Sequence, residues 1–341
     1  MRLLITGASG FIGSALVRHI DRNEKDIKLR LFNRNSNQNA KARLKCSIAS
    51  SLDNTTDTYS PNAEIIYGDL TRDVSGICEG MDAVIHLAAK TYVDHSIKDP
   101  VAFLTNNVEG TVKLLEDARV HKVKRFISVS TDEVLGSISK GAYDEQARLN
   151  PSNPYAASKA AADCFAISYA NTYGMHITVT RTENNYGPFQ HPQKVFPAFL
   201  KKLLNGEKVS VYGDGRHVRQ WLWVYDHVEA LLALLKTDYP SGEIFHIAGN
   251  QELTNLKLAR RIITEFKKLA VFVPPKIAKA KVDECIEFIP DHDIRPGHDY
   301  RYALNCDKIK LLTGWSPKVS LDEGIAKAIS WYVHNKWWLN N

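Results

Sequence analysis

Short apolar runs alternate with longer amphipathic stretches through the first half of the chain. The apolar runs predict strands at residues 3–6, 29–32, 63–67, 83–88, 126–130 and 177–181. Helical length and period occur in the stretches 11–21, 101–121 and 155–173. Strands that alternate with helices form a parallel sheet covered on both faces, because β-α-β crossovers are right-handed. The pattern therefore predicts a Rossmann-like, doubly wound α/β fold.

Beyond Asn184 the alternation becomes less regular, and Gly, Pro and Trp become more frequent. Helical periods are present at residues 196–205, 256–269 and 321–334. This half therefore predicts a smaller lobe of mixed α/β structure. The polar residues 35–60, rich in Asn, Ser and Thr, predict a surface excursion from the first lobe.

Composition limits the function classes that are open to the chain. Its 341 residues are 44% hydrophobic, and a net charge of +6 is spread along the sequence, which favours a folded protein without a nucleic-acid footprint. No apolar run approaches the ~18 residues of a membrane span, and the N-terminal strand reaches Gly7 too early for a signal-peptide core. The five cysteines form no C-x-x-C pair, so we expect a reduced, cytoplasmic protein without a metal site.

A glycine-rich turn lies between the first predicted strand and the first predicted helix. Gly7 permits a tight turn, Gly10 lets backbone amides approach a pyrophosphate, and Gly13 lets the helix pack closely on the strand. The N-terminus of the helix supplies N–H groups and a positive dipole end. In this position, the spacing G-x-x-G-x-x-G predicts a dinucleotide-binding site.

The end of the second strand bears on which dinucleotide is bound. Such strands usually end in an acid that bonds the adenosine ribose, but here Asn33 and Arg34 follow. Asn33 can still hydrogen-bond a ribose hydroxyl, whereas Arg34 can meet the 2′-phosphate of NADP or stack on adenine. Asp69 and Leu70 follow the third strand and predict a contact on the adenine side. We expect NAD as the cofactor, with NADP as the alternative.

Tyr155 and Lys159 lie four residues apart on a predicted helix and therefore share one helix face. A free tyrosine has a pKa near ~10, too high for a base at neutral pH, and a nearby ammonium or cationic nicotinamide lowers that pKa. By itself such a pair is usually a surface pair. Downstream of a phosphate cradle, it predicts a tyrosine that transfers protons.

Thr131, Asp132 and Glu133 directly follow the strand predicted at 126–130. In a doubly wound sheet, ligands bind at the carboxyl ends of the strands, so these side chains should lie beside the nicotinamide. Two adjacent carboxyl groups in a cleft can differ in pKa, so that one acts as an acid and the other as a base. The alternative interpretation is an acidic turn that caps the next segment, and the flanking motifs favour the site.

Together these motifs resemble those of the extended short-chain dehydrogenase/reductase family, and more narrowly those of its nucleotide-sugar 4,6-dehydratases. The resemblance covers nearly the whole chain. It also includes five further segments: HLAA at 86–89, NNYGP at 184–188, YGDG at 212–215, RQWL at 219–222 and RPGHD at 295–299. Many short matches in the same order are far more specific than any single one.

The resemblance implies a mechanism. Tyr155, assisted by Lys159, removes the O4 proton of the sugar while hydride passes from C4 to the oxidised nicotinamide. Glu133 then takes the acidified C5 proton, and Asp132 protonates the departing C6 hydroxyl. The retained cofactor returns hydride to C6, which gives a 4-keto-6-deoxy sugar. Thr131 is expected to hydrogen-bond the sugar near O4.

The resemblance also implies ligands and an assembly. Cofactor contacts are expected from Phe11, Ile12, Leu87, Ala88, Ala89, Thr105 and Asn185. Residues expected around the sugar and its nucleotide diphosphate are Thr91, Asn184, Lys194, Tyr212, Arg219, Gln251, Arg295 and His298. Residues 1–185 with about 222–250 are expected to bind the dinucleotide, and 186–221 with 251–341 the nucleotide sugar. Members of the family pair as homodimers through helices corresponding to 101–121 and 155–173.

Four positions depart from the family pattern. Asn33 replaces the usual acid, Lys90 stands where an acid is common, Glu183 replaces a small residue, and Gln251 replaces an Asn beside the base. The base and the sugar therefore stay open. The default substrate is dTDP-glucose, and the alternatives are UDP-glucose and a UDP-N-acetylhexosamine.

Two other functions are compatible with parts of the pattern. A nucleotide-sugar 4-epimerase or a related decarboxylase shares the cradle and the Tyr-Lys pair. An epimerase needs no acid and base for elimination, so Asp132 and Glu133 favour a dehydratase. A non-catalytic dinucleotide-binding partner protein would be free to lose Tyr155, Lys159 or the carboxylates, and the chain has kept all of them.

Overall fold

A computed structural model describes residues 1–34, 63–290, 297 and 299–340, and the polar stretch 35–60 lies outside the described residues. The strands in the described part are β1 (Arg2–Thr6), β2 (Lys28–Asn33), β3 (Ala63–Tyr67), β4 (Ala83–His86), β5 (Arg125–Thr131), β6 (Ile177–Thr182), β7 (Asn184–Tyr186), β8 (Val209–Tyr212), β9 (Val218–Trp223), β10 (Glu243–Ile247), β11 (Glu252–Thr254) and β12 (Ile286–Ile289). Seven of them form a parallel sheet in the order β10-β6-β5-β4-β1-β2-β3. The doubly wound α/β fold is therefore confirmed.

Helices cover both faces of this sheet. The α-helices in the described residues are α1 (Phe11–Asn23), α2 (Val93–Lys98), α3 (Pro100–Phe103), α4 (Gly110–Val120), α5 (Pro154–Tyr173), α6 (Val195–Leu204), α7 (Val224–Lys236), α8 (Asn255–Lys267), α9 (Pro275–Lys279), α10 (Asp307–Thr313), α11 (Leu321–His334) and α12 (Lys336–Leu339). Along β1, Leu3 and Ile5 pack with α1 and α7 on one face, while Leu4 packs with α4 and α5 on the other. Because both faces are buried, the central strands read as continuous apolar runs.

The strand order reverses at β1, which pairs with β2 on one side and with β4 on the other. In open α/β sheets, ligands bind in the crevice outside the carboxyl ends of the strands at such a point. The residues that follow β1, β4 and β5 meet at this edge of the sheet. These are the positions of the glycine-rich turn, the HLAA segment and the Thr131–Glu133 motif.

Two predicted elements differ from the observed ones. The helix predicted at 101–121 contains a π-helical segment, Leu104–Glu109, between α3 and α4. Such segments are frequent at functional sites, and this one carries Asn107, whose side chain hydrogen-bonds the loop after β4. The strand predicted at 83–88 ends at His86, because the next residues leave the sheet to pack against Gly7.

The second, smaller lobe is of mixed α/β structure, as predicted. It contains a three-stranded sheet, β11-β9-β7, and a two-stranded sheet, β12-β8. Helices α6, α8 and α11 enclose its core, in which Phe196, Ile262 and Tyr332 are completely buried. Strand β9 runs directly into α7, which packs on α1 of the first lobe. Within the residues that the structure describes, no helix is both long enough and apolar enough to cross a bilayer.

Candidate active site

The acid pair of the site, Asp132 and Glu133, lies where β5 ends. Thr131 is the last residue of β5, and the acid pair opens a short 3₁₀ turn, Asp132–Leu135. The Thr131 hydroxyl donates to Asp132 Oδ1 at 3.0 Å and accepts from the Glu133 backbone N–H at 3.4 Å. This hydroxyl caps the turn and orients Asp132 at the same time.

The two carboxyl groups occupy different surroundings. Burial, together with the charge of Glu133, raises the pKa of Asp132 to about 7. Burial also raises the pKa of Glu133, but the charge of Lys194 and a hydrogen bond from Asn153 Nδ2 to Glu133 Oε2 at 3.4 Å oppose that rise. Asp132 is therefore suited to donate a proton near neutral pH, and Glu133 to accept one.

Tyr155 lies in the first turn of α5, beside the acid pair, and is 7% exposed. Asn153 caps this helix by accepting from the Ala156 N–H at 2.9 Å. Burial and the charge of Glu133 raise the pKa of Tyr155, and the Thr131 hydroxyl acts in the opposite direction. The chain by itself therefore does not lower the pKa of the phenol. A bound cationic nicotinamide would favour the phenolate.

Lys159 lies one helical turn further along α5 and is buried. Its Nζ donates to the Val129 carbonyl at 2.9 Å. Burial lowers the pKa of Lys159, and the carboxylate of Asp163 opposes this effect. Asp163 forms an ion pair of 3.2 Å with Arg181, and both side chains are 3% exposed. Two cations thus share one buried carboxylate, which avoids the high cost of an unpaired buried charge.

The glycine-rich turn forms a close-packed cradle. Gly7 has a φ of +70°, and a Cβ there would lie 2.8 Å from the backbone of the loop after β4. A Cβ on Gly13 would lie 2.3 Å from the Gly7 carbonyl oxygen. The Gly10 N–H donates to the same oxygen at 2.8 Å. Helix α1 begins with Phe11 and Ile12, and the first N–H groups of a helix have no partner within it, so they can bind a phosphate.

Asn33 and Arg34 show how the site fits a dinucleotide. Asn33 Oδ1 accepts from the Ser9 N–H at 2.6 Å, while its Nδ2 is buried without a partner among the described residues. A buried, unused donor at the end of β2 fits a ribose hydroxyl. Arg34 forms an ion pair of 2.9 Å with Asp69, so its charge is already balanced. Leu70 packs in the core, so only its backbone can serve a ligand.

The loop after β4 is held by the π-helical segment. Asn107 accepts from the Lys90 N–H at 2.8 Å and donates to the Lys90 carbonyl at 3.0 Å. It also donates to Ser158 Oγ at 2.9 Å, and the Ser158 hydroxyl donates to the Tyr155 carbonyl at 2.7 Å. Asn107 therefore joins α5 to the segments that carry four predicted cofactor contacts, all partly buried: Leu87, Ala88, Ala89 and Thr105.

Two basic residues of the second lobe act on the acid pair. Lys194 precedes α6, and its charge lowers the pKa of Glu133. Arg219 lies on β9, is 7% exposed and donates to the Asp299 carbonyl at 2.7 Å. Its charge lowers the pKa values of both carboxyl groups. The structure therefore brings these two predicted diphosphate ligands close to the predicted catalytic residues.

Asn185 lies in β7 with its side-chain amide engaged inside the protein. Its Nδ2 donates to the Glu183 carbonyl at 2.9 Å and to Thr182 Oγ1 at 3.2 Å. Its Oδ1 lies 3.0 Å from His227 Nδ1. Both ends of the amide are used, so the side chain holds the ends of β6 and β7 together.

The other predicted substrate ligands come from several different segments of the chain. Asn184 opens β7 and Tyr212 ends β8, and both are partly buried. Gln251 is exposed, and its Oε1 accepts from Arg261 Nη1 at 3.3 Å. The Thr91 carbonyl accepts from Lys194 Nζ at 3.5 Å. Two further residues lie outside the described residues: Arg295 and His298.

Two features of the site were not predicted from the sequence. Asn153, followed by Pro154, is a typical helix N-cap, but its sequence position does not reveal the contact with Glu133. Glu183, noted above as a departure from the family, is 4% exposed, and burial raises its pKa. Glu183 directly follows β6, and Asp132 directly follows β5. Since the last residues of these two strands, Thr182 and Thr131, are paired in register, the two acids lie on neighbouring strand ends. Glu183 Oε1 accepts a hydrogen bond from the Gly249 N–H.

Comparisons with known proteins show similar sequences and similar folds. A dTDP-glucose 4,6-dehydratase of Streptomyces niveus is 39% identical over 342 residues, which cover 99% of this chain and 95% of that protein. A dTDP-glucose 4,6-dehydratase of Streptomyces venezuelae, solved with NAD and dTDP bound, is 36% identical with a TM-score of 0.84, and the match covers 99% and 98% of the two chains.

A further similar solved structure is that of an epimerase. The UDP-glucuronic acid 4-epimerase of Bacillus cereus, in complex with UDP-glucuronic acid and NAD, is 26% identical with a TM-score of 0.84, covering 98% of this chain and 100% of that one. The family model described as GDP-mannose 4,6-dehydratase matches residues 4–328. The resemblance found in the sequence is thus confirmed, and the chain belongs to the GDP-mannose 4,6-dehydratase family.

Proposed function

We propose that this protein is an NDP-hexose 4,6-dehydratase, a hydro-lyase that converts dTDP-glucose to its 4-keto-6-deoxy product. The observation that carries the proposal is the acid pair beside Tyr155, with one carboxyl group of pKa about 7 and the other held by Asn153 and Lys194. Elimination of water across C5 and C6 needs a base for the carbon-bound proton and an acid for the leaving hydroxyl. The site provides one group for each task.

The fold alone does not separate a dehydratase from an epimerase, since both kinds of relative have a TM-score of 0.84. Identity favours the dehydratase, at 36% against 26%. An epimerase leaves C5 and C6 unchanged and has no task for a base at Glu133 or an acid at Asp132. Two adjacent carboxyl groups, both with raised pKa values, are typical of a catalytic pair.

NAD is the cofactor that the site fits. When bound, it accepts a hydride from C4 of the sugar and returns it to C6. Gly7, Gly10 and Gly13 allow a pyrophosphate to lie close to the backbone, and the unused Nδ2 of Asn33 would bond the adenosine ribose. Arg34 is balanced by Asp69, which argues against a role in binding the 2′-phosphate of NADP.

Three side chains share the proton transfers of the proposed cycle, and a fourth supports one of them. Tyr155 takes the O4 proton as C4 is oxidised, with Lys159 supporting the phenolate. Glu133 takes the C5 proton, exchanges it with solvent and gives a proton back to C5 once C6 has been reduced. Asp132 protonates the C6 hydroxyl, which leaves as water. After one turnover Tyr155 holds one proton more than before and Asp132 one fewer, so a proton must pass between them, or each must exchange with solvent.

The identity of the hexose depends on residues that differ from the family pattern. Lys90 lies 5.8 Å from the centre of the Phe103 ring, and that ring packs edge-on against Tyr155 at 6.3 Å. The Phe103 ring therefore has contacts with both the catalytic Tyr155 and an ammonium at a position where an acid is usual. We propose dTDP-glucose as the substrate, with UDP-glucose and a UDP-N-acetylhexosamine as the sugars to compare.

We also propose a homodimer that pairs through the helical run 100–120 and α5. Large apolar side chains on these helices are exposed: Val101 by 67%, Leu104 by 56% and Phe165 by 42%. Neighbouring apolar residues on α5, Ile167 and Ala170, pack into the core of the first lobe instead. An exposed apolar patch of this kind is typical of a protein interface.

The lobe division is proposed as follows: residues 1–185 with about 222–250 bind the dinucleotide, and 186–221 with 251–341 bind the nucleotide sugar. The return of the chain to the first lobe is supported by β10, which pairs with β6, and by α7, which packs on α1. A cytoplasmic location is supported by the free thiols of the described cysteines Cys78, Cys164, Cys285 and Cys306.

The test is a product assay with a panel of nucleotide hexoses. Purified protein is incubated with dTDP-glucose, UDP-glucose and UDP-N-acetylglucosamine, and the products and the co-purifying cofactor are identified by mass spectrometry. We expect loss of one water from dTDP-glucose and the alkali-induced absorbance of a 4-keto sugar. Recovery of the galactose epimer alone, with no loss of water, would defeat the proposal.

A further inference from the structure

The turn at residues 187–190 connects β7 to the segment that carries Lys194. Two predicted diphosphate ligands therefore flank it, with Asn184 before the turn and Lys194 after it. Phe189, within the turn, has a φ of +65°. A bulky side chain rarely adopts this left-handed conformation, which persists only where the surroundings hold it.

Two side chains from the C-terminal helices donate hydrogen bonds to the backbone of this turn. Trp338 Nε1 donates to the Gln190 carbonyl at 2.8 Å. The Tyr332 hydroxyl lies 3.0 Å from the Gly187 carbonyl oxygen and 3.3 Å from that of Gln190. Trp338 and Tyr332 are completely buried. Since a buried carbonyl is costly to leave without a donor, these contacts fix the path of the turn.

The side chain of Phe189 is packed between the two lobes. Its ring centre lies 4.4 Å from that of Trp331 and 5.4 Å from that of Trp338. The Arg18 guanidinium of α1, the helix that begins at the phosphate cradle, lies 4.3 Å from the same ring centre. These contacts hold Phe189 in its strained conformation.

The Gln190 side chain joins the turn to β7. Its Nε2 donates to the Asn185 carbonyl at 2.8 Å. Asn185 in turn bonds Glu183 and lies within hydrogen-bond distance of His227, so the turn, β7 and the end of β6 form one connected unit. A shift of the turn would displace Asn184 and Lys194 together.

We propose that Trp338 and Tyr332 are positioning residues that lock the turn 187–190 and thereby place Asn184 and Lys194 for the diphosphate of the substrate. Tyr332 and Trp338 lie beyond residues 4–328, the part of the chain that matches the family model. The proposal rests on the proposed function for the identity of the ligand, but not for the contacts themselves.

The test compares Trp338→Phe with a matched control, Trp337→Phe. Trp337 is the adjacent indole and is 45% exposed. Its Nε1 donates to Asn335 Oδ1 at 3.3 Å and not to the turn 187–190. Hydrogen–deuterium exchange of a peptide covering 187–194, measured without substrate, should become about tenfold faster in W338F, as the loss of one buried hydrogen bond implies, and stay unchanged in W337F. The KM for dTDP-glucose should rise by about the same factor while kcat stays within about twofold.

Tyr332→Phe tests the same lock if W338F does not fold, because this substitution removes only a hydroxyl and keeps the ring in place. Exchange at 187–194 that matches wild type in the variant that folds would overturn the lock. So would equal changes of KM in W338F and W337F. Failure of wild-type protein to dehydrate any nucleotide hexose would instead refute the proposed function, and the exchange measurement would still test the lock.

Discussion

The Thr131 hydroxyl donates a hydrogen bond of 3.0 Å to the Asp132 carboxylate. The same hydroxyl acts on Tyr155, whose pKa it lowers. Thr131 therefore lies between the side chain that gains a proton in each proposed turnover and the side chain that loses one. Because a hydroxyl can accept one proton while donating another, Thr131 offers a direct path for restoring the starting protonation state.

Replacing Asp132 by Asn should block elimination while leaving C4 oxidation intact. The amide cannot protonate the leaving hydroxyl, so we expect a loss of about 10²- to 10⁴-fold in kcat. Formation of the 4-keto-6-deoxy product and the absorbance of the reduced nicotinamide are measured in parallel. If D132N forms product at the wild-type rate, Asp132 is not the acid.

The same substitution should stabilise the protein at alkaline pH. Burial raises the pKa of Asp132 from 3.8 to about 7, so between these pH values the native state binds one proton more than the unfolded state. Stability therefore falls as the pH rises through this window, and it stays lower above it. We expect D132N to exceed wild type in the midpoint of thermal unfolding by about 2 °C or more at pH 8, with no excess at pH 3.

The catalytic rate should depend on pH through the acid pair. Asp132 acts in its protonated form, so kcat/KM should fall as the pH rises through about 7. Glu133 acts as the carboxylate, so the rate should also fall on the acid side. Lys194→Gln removes a charge that lowers the pKa of Glu133, so in this variant the acid limb should move to higher pH. An unshifted acid limb in K194Q would show that Lys194 does not act on the base.

Glu133→Gln should keep binding and C4 oxidation but lose removal of the C5 proton. In deuterium oxide, we expect wild-type product to carry deuterium at C5 and E133Q to form almost no product. Glu145→Gln is a matched control, since burial raises the pKa of Glu145 too, but its carboxylate accepts from the His246 N–H at 3.0 Å, outside the acid pair. Full turnover in E133Q would show that another group is the base.

Gly7→Ala should weaken cofactor binding and destabilise the protein by more than the strain of a positive φ alone would. Gly7 and Gly141 have nearly the same φ, +70° and +71°, but only at Gly7 would a Cβ meet neighbouring atoms, at 2.8 Å. We expect G7A to cost about 1–3 kcal/mol more than G141A in unfolding free energy, because the added methyl overpacks the turn. Urea unfolding and the amount of co-purifying NAD measure the two effects, and equal losses in both variants would contradict a close-packed cradle.

Phe165→Glu should separate the proposed dimer without unfolding the monomer. Phe165 is 42% exposed, so a charge there is costly only if a second copy covers it. Sedimentation should show a dimer for wild type and a monomer for F165E, with unchanged circular dichroism. As a control, Val271→Glu alters a residue that is 94% exposed and whose neighbours Phe272 and Val273 pack on the core of the second lobe. The V271E variant should stay dimeric. A dimeric F165E would place the interface elsewhere.

Much of the catalytic apparatus could be predicted from the sequence because its parts are local. The spacing of Gly7, Gly10 and Gly13 is dictated by a single turn, and Tyr155 and Lys159 share a face because of the helical period. The C-terminal end of β4, at His86, could not be predicted in this way. That strand ends early because Gly7, eighty residues away in the chain, packs against the backbone that follows it.

Other parts of the site depend on residues that are distant in sequence. No periodic signal in the sequence marks the hydrogen bond from Asn153 to Glu133 or the effect of the Lys194 charge on Glu133. The same holds for the pairing that brings Glu183 beside Asp132, and for the bonds from Tyr332 and Trp338 to the turn 187–190. Local spacing thus determined which side chains could be predicted as site residues. The tertiary structure decided which carboxyl group holds its proton near pH 7, because burial and electrostatic fields are sums over every element that packs around a group.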